Sequence, residues 1–121
     1  MSIIREQSPE FDFSVPVAVI GAGACGLTAA LAARDEGVDV LVLERDKRLW
    51  GSTSMSLGAV CGVNSAQQGV HGVSDSVELF VADVMAKTEG RADPTLARLI
   101  GEQSGATLDW LNERHQVPLL L

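Results

Sequence analysis

A chain of 121 residues that is 46% hydrophobic, with a mean hydropathy of +0.20, is too apolar for disorder and long enough to fold around a core. Its net charge of −7, with nine Lys and Arg scattered singly or in the short Arg45, Lys47, Arg48 group, argues against nucleic acid as a partner. Cys25 and Cys61 lie far apart with no CxxC or His-Cys cluster; neither a zinc site nor a disulfide framework is indicated, which suits a reducing cytoplasm, with both thiols read as small buried hydrophobes.

Residues 1–14 are polar and without periodicity, a lead or strap that carries no chemistry and, with Arg5, Glu6, Glu10 and Asp12, does not resemble a signal peptide. The stretch Val15 to Ala33 has the length of a membrane span, but Pro16, Gly21, Gly23 and Gly26 interrupt it. A strand, a tight turn and a buried helix explain the same run. Val17 to Ile20 is a β-branched run suited to a parallel strand covered on both faces. Cys25 to Glu36 is Ala- and Leu-rich and ends at Gly37, which predicts a helix with a glycine C-cap; Val38 to Leu43 predicts a second strand ending at Glu44. Strand, helix and strand in under thirty residues make a βαβ unit.

Leu49 to Gly72 sustains neither helical nor strand periodicity and reads as a long functional loop. Asp75 then offers an N-cap, and Val77, Phe80, Val81, Val84, Met85 and Thr88 fall at helical spacing before Gly90. Asp93-Pro94 opens a second helix running to about Arg114, with Leu96, Leu99, Ile100, Gln103, Thr107, Trp110 and Leu111 as its stripe. Gly101 and Gly105 weaken that helix by about 1 kcal/mol each relative to Ala and mark a close contact or a kink. Val117 to Leu121 begins like a strand.

The chemistry concentrates in Gly21-Ala22-Gly23-Ala24-Cys25-Gly26, a GxGxxG turn placed directly after a strand and opening a helix. The first glycine permits the turn, the second admits a pyrophosphate to the backbone, and the third lets helix and strand pack closely; the helix amides and dipole then favour phosphate. Glu44 stands 23 residues after Gly21, where a carboxylate can accept both hydroxyls of an adenosine ribose and would repel a 2′-phosphate. FAD and NAD share this fingerprint. The segment Trp50 to Val60 offers small residues and hydroxyls that would let backbone approach a flat ring and a phosphate. His71 and His115 suit ordinary surface roles, and the serines of 52–56 have no His-Asp partners in a recognisable arrangement.

Together these residues resemble the flavoproteins of the fumarate reductase and succinate dehydrogenase group, with ketosteroid dehydrogenases as relatives. In that family a Gly-Gly-Asn/Ser-Thr stretch and then a Gly-Gly pair follow the second strand, and Gly51, Ser52, Thr53, Gly58 and Ala59 occupy the matching places. The resemblance extends through Asp93-Pro94 and Asp109-Trp110-Leu111, where the family's capping domain is about to begin. Trp50 and Ala59 stand where the family commonly has glycine, and Gln116 where a glycine usually ends the helix.

The resemblance implies a Rossmann-like, three-layer α/β dinucleotide-binding domain, incomplete in this chain, occupying 15–121. It implies FAD held by Gly21, Ala22, Gly23, Cys25 and Gly26, by Glu44 and Arg45, and by Gly51, Ser52, Thr53, Ser56, Leu57, Gly58 and Ala59. No His stands between Ser52 and Ser56, so the flavin is expected to be non-covalent. The activity implied is hydride transfer to or from a carbon–carbon bond beside a carbonyl or carboxylate of a small-molecule substrate, with the catalytic residues outside this chain. The remainder of the enzyme or a second subunit is then the expected partner. Two alternatives are an NAD-binding dehydrogenase domain and a non-catalytic assembly subunit.

Overall fold

The computed structural model describes residues 10, 11 and 13–120, so most of the expected 1–14 lead lies outside the described residues. The chain divides into two compact units, residues 1–59 and 60–121. In the first, β1 (Val17–Ile20), α1 (Ala24–Asp35) and β2 (Val40–Leu43) form the βαβ unit, followed by the short helix α2 (Ser52–Met55). The strands are parallel, with Val17 opposite Val40 and Ile20 opposite Leu43. An amide of the turn itself extends the pairing, since Gly21 N–H donates to the Leu43 carbonyl at 2.7 Å.

Alternation along β1 turns Val17 and Val19 inward and Ala18 and Ile20 outward. Val19 faces α1: a Cβ at Gly26 would lie 3.1 Å from Val19 Cγ1. Ile20, on the face away from α1, is 79% exposed; among the described residues of this unit, α1 covers the face of the strand that carries Val19. The apolar run from Val15 is strand, turn and helix, and among the described residues no helix is long and apolar enough to cross a membrane.

Helix α1 ends as its glycine predicts. Gly37 adopts φ +77°, its N–H reaches the Arg34 carbonyl and the Val38 N–H the Ala33 carbonyl, the paired bonds of a Schellman motif. Those bonds hold Val38 to the helix end, which is why β2 starts at Val40 and not at Val38.

The second unit holds α3 (Ala66–Val70), α4 (Val77–Lys87) and α5 (Pro94–His115). Asp93 caps α5 as expected, its carboxylate accepting the N–H groups of Thr95 at 2.8 Å and Leu96 at 3.3 Å. For α4 the cap is Ser76, whose Oγ accepts Leu79 N–H at 3.1 Å, and not the expected Asp75. Asp75 is engaged instead by Gln68 Nε2 and by the Ser76 amide.

The half-buried face of α4 is the expected one, whereas α5 departs from its expected stripe as far as Thr107 and keeps it at Trp110 and Leu111, which are half-buried. Leu96, Leu99 and Ile100 are exposed, whereas Ala97, Gly101 and Gly105 are buried. Small residues four apart let neighbours approach the helix backbone, which larger side chains on the predicted stripe would prevent. At Gly101 an added Cβ would meet Phe80 and Val77 of α4, and at Gly105 it would lie 2.0 Å from the Val63 carbonyl oxygen. The two glycines are close-contact sites. Val117 to Leu120 forms no strand, since Val117 N–H donates to the Leu111 carbonyl and its own carbonyl accepts from Asn112 Nδ2. Gln116, in place of a glycine, takes the left-handed conformation at φ +56°.

Candidate functional site

The site lies in the first unit, where β1 gives way to α1. Gly21, at φ +99°, makes a turn that an L side chain rarely permits. Gly26 fills the structural role expected of the third glycine, because a Cβ there would sit 2.0 Å from the Gly21 carbonyl oxygen. Gly23 differs: an added Cβ meets only Thr53 Oγ1, at 3.6 Å, so the fold alone does not require glycine there. Its bareness leaves the N-cap of α1 without a side chain, and no acidic residue stands in the first turn. That combination suits an anion near the positive end of the helix dipole.

Two side chains tie the turn to the segments around it. Glu44 Oε2 accepts the Ala22 N–H at 2.9 Å and its Oε1 accepts the Asp46 N–H at 3.0 Å. The Ala22 bond, then the Asp46 bond, hold the Glu44 carboxyl below the usual carboxylate range. Each oxygen retains acceptor capacity for another donor. Thr53 Oγ1, on α2, accepts the Ala24 N–H at 3.0 Å, so it occupies the first helical amide of α1.

These groups line a cavity of about 270 Å³, walled by Ala22, Gly23, Leu27, Glu44, Arg45, Asp46, Leu49, Trp50, Gly51, Thr53 and Ser54. Of the candidates from sequence, Ala22, Gly23, Glu44, Arg45, Gly51 and Thr53 come together there. Gly21 and Gly26 do not line it and shape the turn through their close contact. Cys25, Ser52, Ser56, Leu57, Gly58 and Ala59 are exposed and do not line it. Ser56 Oγ donates to the Thr53 carbonyl and accepts the Gly58 N–H, a local brace after α2.

Leu27, Asp46 and Leu49 line the cavity from outside the motifs, and Trp50 and Ser54 line it from the 50–60 segment without an individual role expected of them. The available signal was Leu49-Trp50, a large apolar pair between the charged residues 44–48 and the small-residue segment.

Both cysteines are exposed, against their reading as buried hydrophobes. Gly26 takes the close-packed side of the first turn of α1 and Cys25 falls outside it. The expected structureless loop at 49–72 contains α2 and α3. Helix α3 is capped by Ser65, whose Oγ accepts Gln68 N–H, and by Asp109 of α5, whose carboxylate oxygens accept Ala66 N–H at 2.9 and 3.1 Å. Ser104 Oγ accepts the Val63 N–H at 3.1 Å and fixes the segment before it.

Residues 16–121 match the FAD binding domain family. A probable fumarate reductase of Shewanella frigidimarina is 36% identical over 95 residues, which cover 78% of this chain and 16% of that protein. A urocanate reductase of Eggerthella lenta is 36% identical over 106 residues, or 87% of this chain and 18% of the relative. Among solved structures, the open conformation of a flavocytochrome c3 fumarate reductase is similar with a TM-score of 0.71 and 34% identity, over 82% of this chain and 18% of that one. The chain thus spans less than a fifth of each of these relatives.

Proposed function

The chain belongs to the FAD binding domain family, and from that premise we propose that it holds the ADP portion of FAD in a flavin-dependent oxidoreductase that reduces or oxidises a carbon–carbon bond beside a carboxylate or carbonyl. The relatives support the reaction class, since fumarate and urocanate both carry a double bond conjugated to a carboxylate. The observation that carries the reading is the Glu44 carboxylate: drawn to the glycine turn by the Ala22 N–H, it shares one cavity with Gly23 and Thr53.

In this reading the Cys25 and Gly26 amides, next after the Ala24 N–H that Thr53 holds, receive the pyrophosphate, and Gly23 is bare so that the phosphates can approach. Glu44, ionised at neutral pH, accepts the ribose hydroxyls on its remaining lone pairs and repels a 2′-phosphate. Thr53 orients the first turn of α1 through Ala24. Gly51, Ser52, Ser56, Leu57, Gly58 and Ala59 form the segment that follows the cofactor towards its ring, and the lack of a His among Ser52 to Ser56 fits non-covalent attachment. Bound FAD supplies the centre that exchanges hydride with substrate; this chain supplies binding and orientation.

The bare outer face of the β1–β2 sheet supports a three-layer domain completed by further elements, with the rest of the enzyme or a second subunit also covering Leu96, Leu99 and Ile100. The exposed thiols of Cys25 and Cys61 suit a reducing cytoplasm. The NAD-binding alternative is not favoured, because the family match is to FAD-binding proteins.

The test is the visible spectrum of the purified protein with a FAD titration of the wild type and of Gly23→Val. A flavin spectrum lost in the variant, with its circular dichroism unchanged, supports the reading. A colourless wild type that takes up no FAD refutes it.

A further inference from the structure

We propose that Trp50 is the stacking platform for the adenine ring of the dinucleotide, with Leu27 and Leu49 completing an apolar wall around it. The inference rests on the FAD-binding reading above and adds a residue that neither the glycine turn nor the acidic position accounts for.

Leu27, Leu49 and Trp50 are 41%, 55% and 64% exposed, yet all three line the same cavity as Glu44. Apolar side chains scattered singly over a surface need no explanation. Three gathered in one concave site with a hydrogen-bonded carboxylate have the composition of a ligand wall: apolar area for affinity and a polar group for orientation. The Trp50 backbone is also fixed, its N–H donating to the Arg48 carbonyl at 2.8 Å and Gly51 opening α2 directly after it. An indole offers a large flat area with only two side-chain torsions to order.

Adenine is favoured over the flavin ring for two reasons. Glu44, Arg45 and Asp46 share the cavity, so a ribose on Glu44 brings the base bonded to that ribose into the same space. At about 270 Å³ the cavity has room for a nucleoside. The flavin ring is at the far end of the cofactor, beyond the pyrophosphate.

The experiment uses the full-length protein carrying Trp110→Phe, so that Trp50 is the one tryptophan of this segment, and the colourless fragment ADP as probe. ADP is expected to shift Trp50 emission to the blue as the base covers the ring, and to compete with FAD. Trp50→Ala should weaken both ligands by about five- to a hundredfold, the usual effect of removing a base-stacking aromatic, whereas Trp50→Phe should stay within about threefold of wild type. If Trp50→Ala binds ADP as wild type does, or ADP leaves the emission unmoved while FAD binds, the stacking role is overturned and the cofactor reading stands. If the unaltered protein binds neither FAD nor ADP, both are overturned.

Discussion

Replacing Gly26 with Ala tests how the glycine turn is built. The new Cβ would lie 2.0 Å from the Gly21 carbonyl oxygen and 3.2 Å from its carbon, where ordinary contact begins at 3.4 Å. That carbonyl cannot swing aside, because the Gly21 N–H is bonded to Leu43 at 2.7 Å and Ala22 N–H to Glu44 at 2.9 Å. The first turn of α1 must therefore retreat from β1 by roughly 1 Å or more, and overpacking of this kind costs about 1–3 kcal/mol. Ala recovers up to about 1 kcal/mol of helix propensity, and because the clash is with backbone the cost falls at the upper end of that range, leaving a net loss of about 2 kcal/mol. The internal control is Gly69→Ala in α3, where nothing lies within 4 Å and the same substitution should stabilise by about 0.4–1 kcal/mol. Urea denaturation followed by far-ultraviolet circular dichroism measures both, and a FAD titration should show weaker binding for Gly26→Ala alone. Were Gly26→Ala to match or exceed wild-type stability, the contact with Gly21 would not be what fixes helix against turn.

Three further outcomes follow from other contacts. Gly105→Ala should cost about 1–3 kcal/mol in thermal unfolding, because its Cβ would strike the Val63 carbonyl and lift the 63–66 segment from α5. Asp109→Ala should cost about 1 kcal/mol and speed hydrogen exchange at the Ala66 amide, which loses both carboxylate acceptors. Glu44 is held below its ordinary value of 4.5 by the Ala22 and Asp46 amides, so its contribution is present at neutral pH and is lost as pH falls below 4.5 through the folded value. Glu44→Gln should therefore unfold at a lower temperature than wild type at pH 7, with the gap closing below pH 4.5; a gap that persists there contradicts the assignment to charge.

What the sequence disclosed follows the range of each interaction. The Gly21–Gly26 turn, the Gly37 C-cap and the Asp93-Pro94 start obey rules written within a few residues, and each was legible. Helix α3 was hidden because an Asp109 carboxylate 43 residues away caps it. The buried face of α5 was misread because Ala97, Gly101 and Gly105 gain their burial from what approaches them, and hydrophobicity does not register an approach. Within the site, Glu44 and Gly23 carry motif signals, whereas Leu27 of α1, Asp46 of the β2–α2 connection and Ser54 of α2 line the cavity because the fold brings those three elements together.

Among the described residues of the first unit, Ala30 is the one buried side chain. Where side chains of a unit are only half-buried among themselves, a ligand that binds the native form alone adds to its stability by mass action. A cofactor present at a hundred times its dissociation constant adds about 2.7 kcal/mol. Differences of that size change steady-state abundance several-fold through chaperones and proteases. Cells short of FAD should accordingly hold less of this protein, and supplementing the flavin should raise its amount before any change in transcription.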